Sequence, residues 1–208
     1  MPDLHALLLF VAAGLALNVT PGPDMLYVAA RGAAAGRAAG VASAFGIATG
    51  TLVHIALVAG GLAALLAAVP VAYTVVRLAG AAYLVSLGLR ALLWPSGLTE
   101  RTLAPASRWA VFRQGVVTNV LNPKVALFFL AFLPQFVDPA RGSPARQVLA
   151  LGLLFNTTGT LVNLAVALGA SRASARLRRS GRAARAMERA TGALFVGLGV
   201  RLAVAGRR

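Results

Sequence analysis

Long apolar runs alternate with short polar gaps along the whole chain. Leu4 to Val19 is apolar apart from His5 and Asn18, meets Thr20-Pro21-Gly22-Pro23-Asp24, and resumes from Met25 to Ala30. Val41 to Ala68 contains no Lys, Arg, Asp or Glu. Val71 to Leu93 carries Arg77 and Arg90 near its ends. A fourth run extends from about Gly115 to Val137 with Asn122-Pro123-Lys124 inside it, a fifth from Val148 to Ala170, and a shorter sixth from Ala190 to Ala205. A membrane-crossing helix needs about 20 mostly apolar residues. The pattern therefore predicts an all-α integral membrane protein with six spans, the sixth being the weakest.

Composition sharpens that picture. Of 208 residues, 59% are hydrophobic and 12% charged, where a soluble domain has about a quarter of its residues charged. Too few charges remain to cover a soluble surface, which excludes a soluble enzyme. With no cysteine there is no disulfide scaffold, thiolate metal site or cysteine nucleophile. The net charge of +15 would suggest nucleic acid in a soluble protein. Here the bases lie in gaps between apolar runs, as membrane flanks do, so no nucleic-acid partner is expected. The loops after spans one, three and five hold thirteen bases, Arg31 and the seven from Arg172 to Arg189 among them, against five on the other side. The positive-inside rule then places both termini outside. The first run lacks a basic start and a convincing cleavage site, so it reads as a retained helix rather than a signal peptide.

The two halves repeat each other. Gly14-x-x-x-Asn18-Val19 recurs as Gly115-x-x-x-Asn119-Val120. Thr49-Gly50-Thr51-Leu52-Val53-His54 recurs as Thr158-Gly159-Thr160-Leu161-Val162-Asn163. Arg77-x-x-Gly80-Ala81 and Leu87-Gly88-Leu89-Arg90 recur as Arg189-x-x-Gly192-Ala193 and Leu198-Gly199-Val200-Arg201. The expected organisation is one transporter domain over 1–208, with repeats of about 1–94 and 110–208 and a cytoplasmic linker of about 95–109. Three spans per repeat is an odd number, so the second copy enters the membrane from the opposite face. Inverted repeats of this kind house midplane substrate sites.

Each repeat breaks its first span at proline. Pro21, Gly22 and Pro23 interrupt span one, where Thr20 is expected to cap the restart and Pro21 to open it; Pro123 interrupts span four, with Asn122 as cap. Matched interruptions point to a substrate site, and freed amides at a restarting helix suit an anion. Asp24 and Lys124 follow the breaks with opposite charge, and ionisable groups inside spans are costly and usually functional. They fit a zwitterion site, with substrate ammonium at Asp24 and carboxylate at Lys124, or a buried ion pair tying the repeats together. Asn18, Asn119, Asn156, Asn163, Thr49 and Thr158 are candidates to line the path, or to make ordinary interhelical hydrogen bonds. His54 can titrate near neutral pH and so carry a proton, or serve as a packing group. Gly32, Gly36, Gly40, Gly46 and Gly50 predict close helix contacts. No nucleotide-binding loop, metal-ligand cluster or nucleophile arrangement is present, so no cofactor or metal is expected.

With Thr20-Pro21-Gly22-Pro23-Asp24, then Arg31-Gly32, Asn122-Pro123-Lys124, Phe128-Phe129 and Phe132-Leu133-Pro134-Gln135-Phe136, the sequence resembles the LysE/RhtB family of bacterial amino-acid exporters. The resemblance covers nearly the whole chain. It implies a proton-driven secondary carrier that exports amino acids or close derivatives across the bacterial inner membrane, and it leaves the substrate open. The expected partners are an amino acid, membrane lipid and, through the glycine-rich faces, a second copy in a homodimer. The competing readings are a carrier for another small metabolite or ion on the same scaffold, and a membrane scaffold that moves nothing.

Overall fold

The computed structural model describes residues 3–68 and 106–179, together with separate positions between 75 and 93 and between 185 and 204. Among the described residues every regular element is helical. Helix α1, Leu4–Val19, starts where the Asp3 carboxylate accepts a 2.7 Å bond from the Ala6 amide. It stops at Thr20, whose backbone is extended because the next residue is proline. Helix α2, Pro23–Ala35, restarts after Gly22 with Pro23 in its first turn. The expected roles of Thr20 and Pro21 therefore shift by two positions. Thr20 closes α1, its hydroxyl donating back to the Ala16 carbonyl, and Pro23 rather than Pro21 opens the next helix.

Gly36 alone separates α2 from α3, Arg37–Ala68. Its φ of 82° lies where side chains are disfavoured, and nothing approaches within 4 Å of a Cβ placed there. Gly36 is thus a corner, not the packing position that its four-residue spacing predicts. Helix α4, Arg108–Val120, is capped by the Ser107 hydroxyl and begins seven residues before the predicted span. After Leu121 and Asn122 the chain restarts as α5, Pro123–Leu127, and then changes winding to a π turn over Phe128–Phe132 and a 3-10 turn over Leu133–Phe136. Pro134 supplies no amide to that last stretch, and the Gln135 side chain donates to the Ala131 carbonyl at 3.0 Å. A short turn, Pro139–Arg141, leads to α6, Pro144–Arg179. Helix α6 continues through Arg172, Arg176, Arg178 and Arg179, four bases that the sequence assigns to a loop. The predicted third and sixth spans fall mostly outside the described residues, Arg77 and Arg201 included.

Helix α3 over Arg37–Gly61 and α6 over Pro144–Gly169 are long and apolar enough to cross a membrane. So are the pairs α1–α2 and α4 with Pro123–Phe136, bent by 47° and 46° at their breaks, giving four spans if each pair counts once. Large apolar side chains such as Leu57, Leu149, Leu153 and Leu161 lie on the outside. That is the reverse of a water-soluble surface and suits lipid.

Helix α3 packs most extensively on α4 and α6, and α2 packs on both α3 and α6. Backbones touch where α3 crosses α4: a Cβ on Gly115 would lie 3.2 Å from the Gly46 Cα. Several such contacts come in reciprocal pairs. A Cβ on Gly50 would meet Asn119, and one on Gly159 would meet Asn18. Gly115 abuts Gly46, and Gly14 abuts Phe155. Gly88 abuts Gly192 and Val196, whereas Gly199 abuts Ala81 and Val85. In the first two pairs each member is related to its counterpart by the repeat alignment, at an offset of 101 residues in the broken spans and 109 in the spans that follow them.

Candidate functional site

The two breaks lie against each other. Lys124, second residue of α5, reaches across to the open C-terminal end of α1 and donates to the carbonyls of Leu17 and Thr20, both at 3.1 Å. These are acceptors that a helix end leaves unbonded, where a cation is favoured. In return Asp24, second residue of α2, accepts a 2.7 Å bond at Oδ2 from the Asn119 amide near the end of α4. Each restarting helix thus holds the closing end of the other broken span. Gly22 is the position that lets Lys124 through, since a Cβ there would fall 2.9 Å from its Nζ. Asn122 caps α5 as expected, its Oδ1 accepting from the Lys124 amide at 3.0 Å. Pro21 and Pro123 therefore stand at one junction.

No ion pair within 4 Å joins Asp24 and Lys124; among the described residues that distance is met by Arg141 and Asp138, at 3.1 Å. In this conformation each charge takes uncharged hydrogen-bond partners. At the junction Asp24 Oδ1 and Asn122 Nδ2 are buried without a hydrogen bond of standard geometry, and the Asn122 side chain lies close enough to act on the Asp24 carboxylate. Such atoms are costly and call for an explanation. One is an acceptor with negative charge and the other a neutral donor.

Two small cavities flank Asp24, each about 20 Å³. That holds about one water and no amino acid, so the site is closed in this conformation. The first is lined by Asn18, Asp24, Thr51, Asn119, Asn156, Thr160 and Asn163, with Ile47, Val125 and Phe155 as apolar wall. The second adds Thr20, Met25 and Lys124. Of the predicted polar residues, Asn18, Asn119, Asn156, Asn163, Thr20, Asp24 and Lys124 are thus brought together. Asn18 also bonds Thr158 at 3.1 Å. His54 sits behind the chamber, its Nε2 3.1 Å from the Asn119 carbonyl and its ring stacked 5.9 Å from Phe129. It lines neither cavity. Thr49 bonds its own helix at Phe45 and lines neither cavity.

Sequence reasoning passed over Thr51 and Thr160, although both lie in the repeated Thr-Gly-Thr-Leu-Val stretch. Helical spacing was the available signal, since Ile47, Thr51 and His54 fall on one face of α3 and Thr49 does not. It also counted Arg31 as a loop base. Arg31 lies within α2 and is buried, donating to Gln114 Oε1 at 2.6 Å, with its guanidinium 5.7 Å from the Tyr27 ring centre. The Tyr27 hydroxyl in turn donates to the Val111 carbonyl at 2.8 Å. Phe155, also missed, is the sole aromatic residue lining the two cavities.

Comparison with known proteins agrees with this architecture. The chain is 37% identical over 191 residues to an uncharacterized membrane protein of Pseudomonas aeruginosa, covering 89% of this chain and 88% of that one. It is 32% identical over 190 residues to the homoserine/homoserine lactone efflux protein of Salmonella typhimurium, covering 91% of each. It is 29% identical over 200 residues to the leucine efflux protein of Klebsiella pneumoniae, covering 94% of this chain and 93% of that one. No solved structure matches it. The family model described as LysE type translocator matches residues 15–206, so this membrane protein belongs to the LysE type translocator family.

Proposed function

We propose that the protein exports amino acids or close derivatives across the bacterial inner membrane by alternating access, with the junction of the two broken helices as the substrate site. One observation carries this reading: the Asp24 carboxylate and the Asn122 amide, buried beside each other without a hydrogen bond of standard geometry, stand where two interrupted spans meet, and Asp24 lines an asparagine-rich chamber there. An α-amino acid offers the complementary pair, an ammonium for Asp24 Oδ1 and a carboxylate for Asn122 Nδ2. Relatives named for homoserine and leucine efflux support the substrate class.

Lys124 acts as the gating partner. Its bonds to Leu17 and Thr20 hold the closing end of α1; releasing them frees that end to move and makes the ammonium available to a substrate carboxylate. The reciprocal contacts of Gly50 with Asn119 and of Gly159 with Asn18 support a six-span arrangement of two inverted three-helix repeats. In that arrangement one half rocks against the other about the breaks. Asp24 is the sole acid lining the chamber, so a proton and a substrate ammonium compete for it. Such competition is sufficient for exchange of protons against exported amino acid.

The test is flux in proteoliposomes. Purified protein should move labelled amino acids saturably, with rates that respond to an imposed pH gradient. Asp24→Asn should lower that flux by at least about tenfold, the worth of one charge-assisted hydrogen bond, while eluting as a folded protein in detergent. Wild-type rates in that variant would remove Asp24 from the mechanism. No flux of any amino acid by the wild-type protein would remove the proposal.

A further inference from the structure

Phe155 is fixed where it must touch whatever lies beside Asp24. It is 4% exposed and lines both cavities that flank the carboxylate. Its ring stacks on Phe128 with centres 4.4 Å apart and planes at 26°, and meets Phe129 edge-on at 5.4 Å. On the α1 side a Cβ added to Gly14 would lie 3.2 Å from its Cδ2, so the ring already rests on that helix backbone. Its backbone carbonyl accepts from Asn18 at 3.3 Å. A ring backed on these sides cannot retreat as an isolated surface phenylalanine could; packed aromatic interiors yield by discrete rearrangement and not by gradual give. The other repeat offers no such wall. The offset that aligns Thr49-Gly50-Thr51-Leu52-Val53 with Thr158-Gly159-Thr160-Leu161-Val162 pairs Phe155 with Gly46, which has no side chain and lies against α4.

We infer that Phe155 is the specificity-determining residue of the transport site: with substrate ammonium on Asp24, the amino-acid side chain packs against the Phe155 ring, and the fixed ring sets the largest side chain that is carried. The inference rests on the amino-acid export reading and deepens it. Once the chamber opens, the ring leaves room for small and aliphatic side chains and excludes aromatic ones. Gly14 is part of the device, because the ring rests on its backbone with no room for a Cβ between them. A methyl group at that seat pushes the ring into the chamber.

The experiment is a flux panel on full-length protein in proteoliposomes with labelled alanine, leucine and phenylalanine, read as ratios so that a general loss of activity cancels. Wild-type protein should prefer alanine and leucine to phenylalanine. Phe155→Leu, which keeps an apolar core residue, and Phe155→Ala should each raise the phenylalanine-to-alanine ratio by about tenfold, the discrimination of an apolar pocket that loses or gains bulk. Gly14→Ala, with the ring still present, should shift preference the other way and lower the leucine-to-alanine ratio several-fold. Should Phe155→Ala fail to fold, Phe155→Leu and Gly14→Ala give the same two opposed shifts. If wild-type protein moves these amino acids and both ratios stay unchanged in Phe155→Leu and Gly14→Ala, the assignment of Phe155 is overturned while the export reading stands. If wild-type protein moves other amino acids but none of these three, this inference falls while the export reading stands; if it moves no amino acid at all, both fall.

Discussion

The two broken spans solve one geometrical problem with opposite chemistry. After the first break the chain restarts as thirteen residues of regular α-helix, and α2 is tied to α4 by directional polar contacts, Tyr27 to Val111 and Arg31 to Gln114. After the second break only five residues are α-helical before the winding loosens into a π turn and tightens into a 3-10 turn. That stretch is held by aromatic packing. Phe128 lies 5.8 Å from Phe10 and 5.2 Å from Phe132, and Phe136 lies 5.3 Å from Phe10. A few hydrogen bonds can break and re-form one at a time. A ring cluster must move as a block, because each ring's position is set by its neighbours. The polar side is then the more easily parted and the aromatic side the more stable.

The strongest way to break this comparison is to hollow out the aromatic side. Phe128 is fully buried and touches Phe10, Phe129, Phe132 and Phe155. Phe128→Ala should destabilise the protein by about 3–5 kcal/mol, the usual cost of truncating a buried aromatic residue. Thermal unfolding in detergent measures it. A loss no larger than that of the polar-side variants below would mean that the cluster is no more tightly held than the polar contacts.

Much of this contrast is hidden in the sequence for physical reasons. The breaks themselves are legible, because proline's missing amide and fixed φ leave little choice of local structure. Asn122 as cap follows equally from local chemistry. The first break is less legible. Two prolines flank Gly22, and either of them suits the first turn of a helix. The partner of Lys124 could not be read at all. Charge complementarity points to Asp24, yet the bonds formed are to backbone carbonyls of Leu17 and Thr20, and carbonyl groups look alike at every residue. Arg31 misled for a related reason. Its position near the end of an apolar run fits a topology signal, and its burial depends on Gln114, eighty-three positions away.

The second prediction concerns the junction between the regions. Lys124→Met keeps the length of the side chain and removes its charge. The Leu17 and Thr20 carbonyls then lose this donor, and α1 should no longer be held at its end. Stability should fall by about 1.5–3 kcal/mol, the range for a hydrogen bond to a charged group. Hydrogen exchange should rise at the last turn of α1 and not in α6. Protection unchanged at residues 17–20 would show that the lysine does not hold the break.

On the polar side the effects should be smaller. Gln114→Leu removes the acceptor that Arg31 and Tyr27 share at Gln114 Oε1. The expected loss is about 1–2 kcal/mol, the upper part of what polar contacts between membrane helices deliver. The same change should shift the balance of open and closed forms. Cysteine labelling at Ala33, in the last turns of α2, should speed up in Gln114→Leu and stay at the wild-type rate in Phe128→Leu. Equal rates in both variants would remove the distinction between the two sides.

Tyr27→Phe should have the smallest effect, and for that reason it sharpens the comparison most. The ring stays, so the contact of Arg31 with its face is kept. Only the hydroxyl goes, and with it its contacts with the Val111 carbonyl and with Gln114 Oε1, which keeps Arg31. That carbonyl belongs to α4, whose own helical bonding continues through it, so no acceptor is stranded. Single hydrogen bonds between membrane helices average about 0.6 kcal/mol, and the change in unfolding midpoint should be correspondingly slight. Tyr27→Phe converts the α2 position into the residue type that dominates the other broken span. If it stabilises α2 against α4 and slows transport, aromatic packing suffices to hold either side, and the polar contacts are kept because they let go. A loss of stability as large as that of Phe128→Ala would reverse the order and place the rigid side of the molecule at Tyr27.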